Sequence, residues 1–227
     1  MTADEAMAAL QTFNPDFPIK VTKDQNGAPY AIQVYYRDPV SYTEDSIIIS
    51  LSVPPKPPVV LFIERTYRSP TPISVAQVLD ELRSKYGKES VSAMRETWYF
   101  NERQQLVPPP KVAPPGCLIF NASEHYWSTS LSVEQFRQRA SANSRMPRPD
   151  PTEKILAYGG IKPECGTLLE VSGAPAQGLT TSFIMRLIDH PAYAQAVVAG
   201  YRYQVEQENA SQKQELEKAK QRGGPRL

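Results

Sequence analysis

The sequence predicts an α+β fold, a mostly antiparallel sheet or pair of subsheets covered by three to four helices. Two observations carry this. Runs rich in β-branched and aromatic residues recur along the chain, and the capped helices between them do not alternate regularly with the strands. A doubly wound parallel sheet would require that alternation. A third observation is the C-terminal stretch, which reads as a long helix whose apolar stripe ends half-way.

Helix starts give the most specific local signals. Ser74-Val75-Ala76-Gln77 has the form of a capping box, with Ile73 and Val78 placed as a hydrophobic staple. Ser132-Val133-Glu134-Gln135, with Leu131 and Phe136, repeats the arrangement, and Thr2-Ala3-Asp4-Glu5 has the box without a strong staple. The first helix should run to about Leu10 and break at Asn14-Pro15. The helix after Ser74 carries Val75, Val78, Leu79 and Leu82 on one face. It should stop at Lys85-Tyr86-Gly87, with Gly87 in the left-handed C′ conformation. The last helix should start near Pro191, where proline fits a first turn. Its stripe is Tyr193, Val197, Tyr201 and Val205.

Strands are expected over 30–37, 46–53, 59–67, 95–100, 104–107, 117–121, 167–171 and 181–188. Asn101-Glu102-Arg103 reads as a hairpin turn, and so does the Gly/Pro-rich loop before Thr181. Most of the 22 prolines, twelve of them, gather at 54–58, 108–110, 114–115 and 147–151. Lacking an N–H and with φ fixed, they mark connections or sheet edges. Pro54-Pro55-Lys56-Pro57-Pro58 has the composition of a polyproline ligand, but its place between two strands favours a tight connection. The expected organisation is one domain over 1–205, with a division near 108–116 as the alternative, and a polar helical or disordered tail over 206–227.

The net charge of +1 supplies no overall attraction to nucleic acid or anionic lipid, and neither nucleic-acid binding nor membrane insertion is expected. Arg137, Arg139, Arg145 and Arg148 form a modest basic run that reads as a solvated face. There is no P-loop, no strand-linked GxGxxG and no paired-carboxylate signature, so no cofactor is expected. His125 and His190 are the only histidines and the only weak catalytic candidates. Neither lies in a nucleophile-elbow context. With Cys117 and Cys165 they could nominally compose a Cys₂His₂ set, but four single ligands on four segments do not make a zinc pattern.

Cys117 and Cys165 are the only cysteines, each beside a glycine at an expected strand end. Bridged, they would close a loop for which the chain-entropy relation gives roughly 4 kcal/mol. The other reading is two reduced, unrelated thiols. One pair and no others suits an exported protein, whereas the acidic start Met1-Thr2-Ala3-Asp4-Glu5 carries no signal peptide. The expected location is therefore periplasmic or secreted, and cytoplasmic if Met1 is the native start.

The order of these features resembles a group of uncharacterised exported proteins of proteobacteria. The residues carrying the likeness are Thr2 to Ala6 with Leu10, Leu82 to Gly87, Trp98-Tyr99-Phe100, Cys117, and Cys165-Gly166. The group pattern is a GMT/S-x-x-EA helix start, an L-x-x-KYG helix end and a late cysteine pair. The resemblance implies export and a Cys117–Cys165 disulfide, and it implies no reaction. The expected function is a non-catalytic periplasmic or secreted binding or accessory protein, with an unidentified protein as one kind of partner. The alternatives are an enzyme with an unadvertised site, such as a hydrolase using His125 or His190, and a cytosolic protein-interaction module.

Overall fold

The computed structural model describes residues 1–24, 27–92, 96–101, 105–107, 165–172 and 178–221. The elements are α1 (Ala3–Phe13), β1 (Ile19–Lys23), β2 (Pro29–Arg37), β3 (Glu44–Leu51), β4 (Val60–Ser74), α2 (Val75–Tyr86), β5 (Val91–Ser92), β6 (Glu96–Phe100), β7 (Thr167–Ser172), β8 (Leu179–Asp189) and α3 (His190–Gln221). The strands form one sheet in the order β1-β2-β3-β4-β8-β7-β6-β5, antiparallel at every step. The α+β expectation holds. Of the two expected forms, one sheet or two subsheets, the described strands make one sheet, because β4 and β8 pair along most of their length and weld the two halves together.

The register lines up residues across the sheet, and strand alternation then decides what each face is made of. One face carries the row Val21, Ile32, Ile49, Ile63, Leu187, Leu169, Trp98. The next row on the same face is Ile19, Val34, Ile47, Arg65, Met185, Val171, Glu96. The opposite face carries an apolar row through Phe62, Ile188 and Leu168, and a polar one through Glu64, Arg186 and Glu170.

Two short helices cover the first face. α1 packs Ala3, Ala6 and Leu10 on Ile32, Val34, Ile47 and Ile49. Its capping box is complete: Thr2 Oγ1 accepts from the Glu5 N–H, and the Thr2 N–H donates to Glu5 Oε2 at 2.7 Å. The helix runs three residues past Leu10, and the Asn14 N–H donates to the Leu10 carbonyl. α2 packs Val75 and Leu79 on Trp98, Leu169 and Val171, with Leu82 and Tyr86 at the margin. At its start Ser74 Oγ accepts from the Gln77 N–H at 3.3 Å, the forward half of the expected box. Gly87 does take a positive φ, 85°, but its ψ of −175° is extended rather than left-handed helical, a region that only glycine enters readily.

The second face is covered by α3, which buries Tyr193, Ala194, Ala196 and Val197 against Leu61, Phe62, Leu168 and Ile188. The expected stripe is correct and fades along the helix, since Tyr201 and Val205 are half-buried. The helix then continues to Gln221 with nearly every residue exposed. At 1.5 Å per residue its 32 residues span about 48 Å.

The 54–58 proline cluster is the expected connection, between β3 and β4. Ser52 Oγ donates to the Pro57 carbonyl and accepts from the Val59 N–H. β4 extends beyond the expected end at Tyr67, through Pro70 and Pro72, and at that stretch its register with β8 shifts between Arg68 and Ile73. A proline cannot donate to the ladder, so the irregularity and the prolines coincide. At the expected hairpin, Phe100 pairs with Leu106 and the Asn101 N–H donates to the Gln105 carbonyl. The expected strand at 117–121, the capped helix at Ser132, the basic run and the 108–116 division lie outside the described residues.

Candidate functional site: an apolar groove between two helices

α1 and α2 grip opposite ends of the first face, and among the described residues no helix covers its centre. The resulting groove has a volume of about 300 Å³. Its floor is Ile63, Met185, Leu187 and Leu169, the middle of the two rows. Ala6, Ala9, Leu10 and Phe13 form the α1 wall, and Tyr86 closes the α2 side. Phe13 is 61% exposed and Leu187 37%, so apolar surface is open to solvent at both the rim and the floor.

Arg65 breaks the apolar pattern. It occupies the β4 position in a row where its cross-strand neighbours are Ile47 and Met185. Asp45, buried at 7% exposure, holds it: Arg65 Nε donates to both carboxylate oxygens at 2.9 and 3.1 Å, and Nη2 to Oδ2 at 2.6 Å. The guanidinium also lies 4.9 Å from the Phe13 ring centroid, a cation–π contact that ties the α1 rim to the sheet. Among the described residues, Nη1 has no hydrogen-bond partner in the protein, and the side chain keeps 25% of its surface exposed.

Arg186 also borders the groove, but strand alternation sends its side chain to the opposite face. Its side chain bridges Glu64 at 2.7 Å and Glu170 at 3.2 Å across β4, β8 and β7, with 10%, 14% and 3% side-chain exposure. Charges this well enclosed need their partners, because an unmatched buried ion is far more costly than a matched one.

Of the residues singled out from the sequence, the described ones, Cys165 and His190, are not part of the groove lining. His190 is fully buried at the start of α3, and the groove lining does not include it. Its backbone N–H donates to the Gly166 carbonyl, which brings His190 and Cys165 to the same end of the β7–β8 pair. Asp189, its neighbour, is occupied as a helix cap: Oδ1 accepts from the Ala192 N–H at 3.0 Å. Cys165 is fully buried, and there is no free cysteine among the described residues. Cys117 and His125 lie outside them. No group of three or more His, Cys, Asp or Glu side chains among the described residues is placed to hold a metal ion. No helix among them is long and apolar enough to cross a membrane.

The groove was not foreseen from the sequence, because it is a gap between elements rather than a motif. One sequence signal does point toward it: an arginine at a strand position whose neighbours at i−2 and i+2 are Ile63 and Tyr67. No family model, no curated protein and no solved structure matches the chain.

Proposed function

We propose that the protein is a non-catalytic binding protein and that the α1–α2 groove receives an apolar small molecule. The groove itself is the supporting observation: a concave, nearly all-apolar site with one convergent polar group, at the lower end of the size range of ligand pockets. A soluble surface does not usually leave such side chains open without a use. Export to the periplasm or outside the cell, membership of the exported group and a Cys117–Cys165 disulfide belong to the same reading. The buried position of Cys165 and the absence of a free cysteine among the described residues are in keeping with the disulfide.

Two experiments test it. Titrating the full chain with the neutral, environment-sensitive dye Nile red should give saturable 1:1 binding. Ala9→Trp, which fills the groove from the α1 wall, and Leu187→Gln, which puts an amide on its floor, should each weaken binding at least tenfold with the fold retained. Unchanged binding in both variants, or no saturable binding to the wild type, rejects the groove as the site. The export and disulfide parts are read separately by thiol labelling of native protein, where two reactive thiols would overturn them.

A further inference from the structure

Resting on that reading, we propose that Arg65 selects the ligand: the groove takes an apolar molecule bearing a neutral acceptor, an amide, ester or ketone carbonyl, and disfavours the equivalent carboxylate. Arg65 is the polar side chain that interrupts the central floor, on β4 between Ile63 and Tyr67, and it lines the cavity. Asp45 takes up Nε and Nη2 and leaves the two Nη1 protons for another acceptor.

A bare hydrocarbon seated in the groove would strip water from those protons and return nothing, an unmade hydrogen bond in an apolar setting. A ligand acceptor at Nη1 removes that penalty, so the bound molecule needs a polar atom at this point. Charge decides which kind. The Asp45 carboxylate already balances the guanidinium through three contacts of 2.6 to 3.1 Å. A second carboxylate would place two anions on one cation in a low-dielectric cleft, and the surplus charge would be poorly solvated there. Arg186 gives no relief, because its side chain lies on the opposite face of the sheet, held by Glu64 and Glu170. A carbonyl accepts the same hydrogen bond and brings no charge. The paired contacts to Asp45 fix the guanidinium and the Phe13 ring centroid lies 4.9 Å from its carbon, so the free edge is preorganised for the acceptor.

The test compares decanamide with decanoate, equal in chain length, by displacement of Nile red from the full chain near neutral pH. Decanamide should bind at least tenfold more tightly than decanoate. Asp45→Asn, which leaves the guanidinium charge unbalanced, should reverse the order. Arg65→Met should bring the two affinities within about threefold of each other, where a merely structural role would weaken both and keep their ratio. Circular dichroism confirms that each variant folds; where Asp45→Asn does not, the wild-type ratio and the Arg65→Met ratio decide. Decanoate binding as tightly as decanamide to the wild type overturns the inference. So does failure of both to displace a dye that binds saturably, a result that leaves the groove reading standing. Absence of dye binding itself is the separate failure of that reading.

Discussion

The two faces of the sheet are covered in different ways. On one, α3 lies directly over the central strands and buries Tyr193, Ala194, Ala196 and Val197 against Phe62, Leu168 and Ile188. On the other, α1 and α2 are short and sit toward the two ends, so among the described residues the same central strands form an apolar floor. One face is spent on stability and the other leaves a cavity. A β-sheet has two faces whose chemistry alternates by residue, so neighbouring positions on β4 and β8 serve these different ends: Phe62 and Ile188 are core, while Ile63 and Leu187 are groove floor.

The sharpest test of that division is a pair of polar substitutions. Val197→Asp puts a carboxylate into the α3 interface, where Val197 is 2% exposed. It should cost upwards of about 4 kcal/mol, enough to unfold a marginally stable domain. Ala9→Gln, on the exposed groove side of α1, should change stability by no more than about 0.5 kcal/mol. Urea unfolding measures both. A comparable loss for Ala9→Gln would mean that the groove is core, and the contrast between the faces would collapse.

A smaller effect is expected at Gly200, where α3 passes closest to the β3–β4 connection. A Cβ there would stand 2.7 Å from Val53 Cγ2. Alanine normally improves a helix interior by about 1 kcal/mol over glycine, but overpacking costs about 1–3 kcal/mol, so Gly200→Ala should come out destabilising by about 1–2 kcal/mol. Adding Val53→Ala should recover part of the loss, a non-additive result that identifies the contact. A gain in stability from Gly200→Ala alone would show that this end of α3 is loosely seated.

Much of the fold was legible because it rests on local rules. The caps at Thr2 and Ser74, the end of α2 at Gly87 and the stripe from Tyr193 to Val205 all follow from spacing. Strands such as β2 and β3, of nine and eight residues, announce themselves by composition. β1 was missed: Ile19-Lys20-Val21-Thr22-Lys23 is five residues long, bounded by Pro18 and Asp24, and its exposed lysines suit an edge strand. Whether the strands make one sheet or two subsheets was left open for another reason. The β4–β8 pairing joins residues more than a hundred positions apart, as Phe62 with Ile188, and nothing local encodes that register. The groove follows from this same long-range pairing and was therefore invisible too. His190 drew notice by residue type, yet it is a buried side chain at a helix start, whereas Arg65 looked like an ordinary strand residue.

The two helices of the groove face are themselves unequal at their starts. Thr2 makes both hydrogen bonds of its capping box, and Ser74 is seen only to accept from the Gln77 N–H. Thr2→Ala should cost about 1–2 kcal/mol and Ser74→Ala about 0.5–1 kcal/mol. Equal losses in thermal or urea unfolding would mean that the reciprocal Glu5 bond adds nothing. Because α1 supplies a groove wall, Thr2→Ala should also weaken Nile red binding more than Ser74→Ala does.

The smallest effect concerns acid and the α2 end of the groove. Glu89 has a side chain only 5% exposed, gripped by Arg83 through Nε–Oε2 at 2.9 Å and Nη2–Oε1 at 2.8 Å. These hydrogen bonds hold its carboxyl below the usual carboxylate range, against the opposing effect of burial. A lowered folded-state pKa means that the unfolded chain takes up a proton first as pH falls. The pair's contribution is thus complete above the unfolded value, about 4.3, and is lost as pH drops through the folded value beneath it. Arg83 is itself 37% exposed, so solvent screens the pair and the contribution is modest. Urea midpoints of wild type and Glu89→Gln should therefore differ at pH 6 and converge toward pH 3. A gap that stays constant over that range would remove the pair from the acid response. Tyr86 lies between Arg83 and Glu89 and closes the groove, so Nile red affinity in the wild type should begin to fall over the same interval, while Glu89→Gln should show a flatter profile.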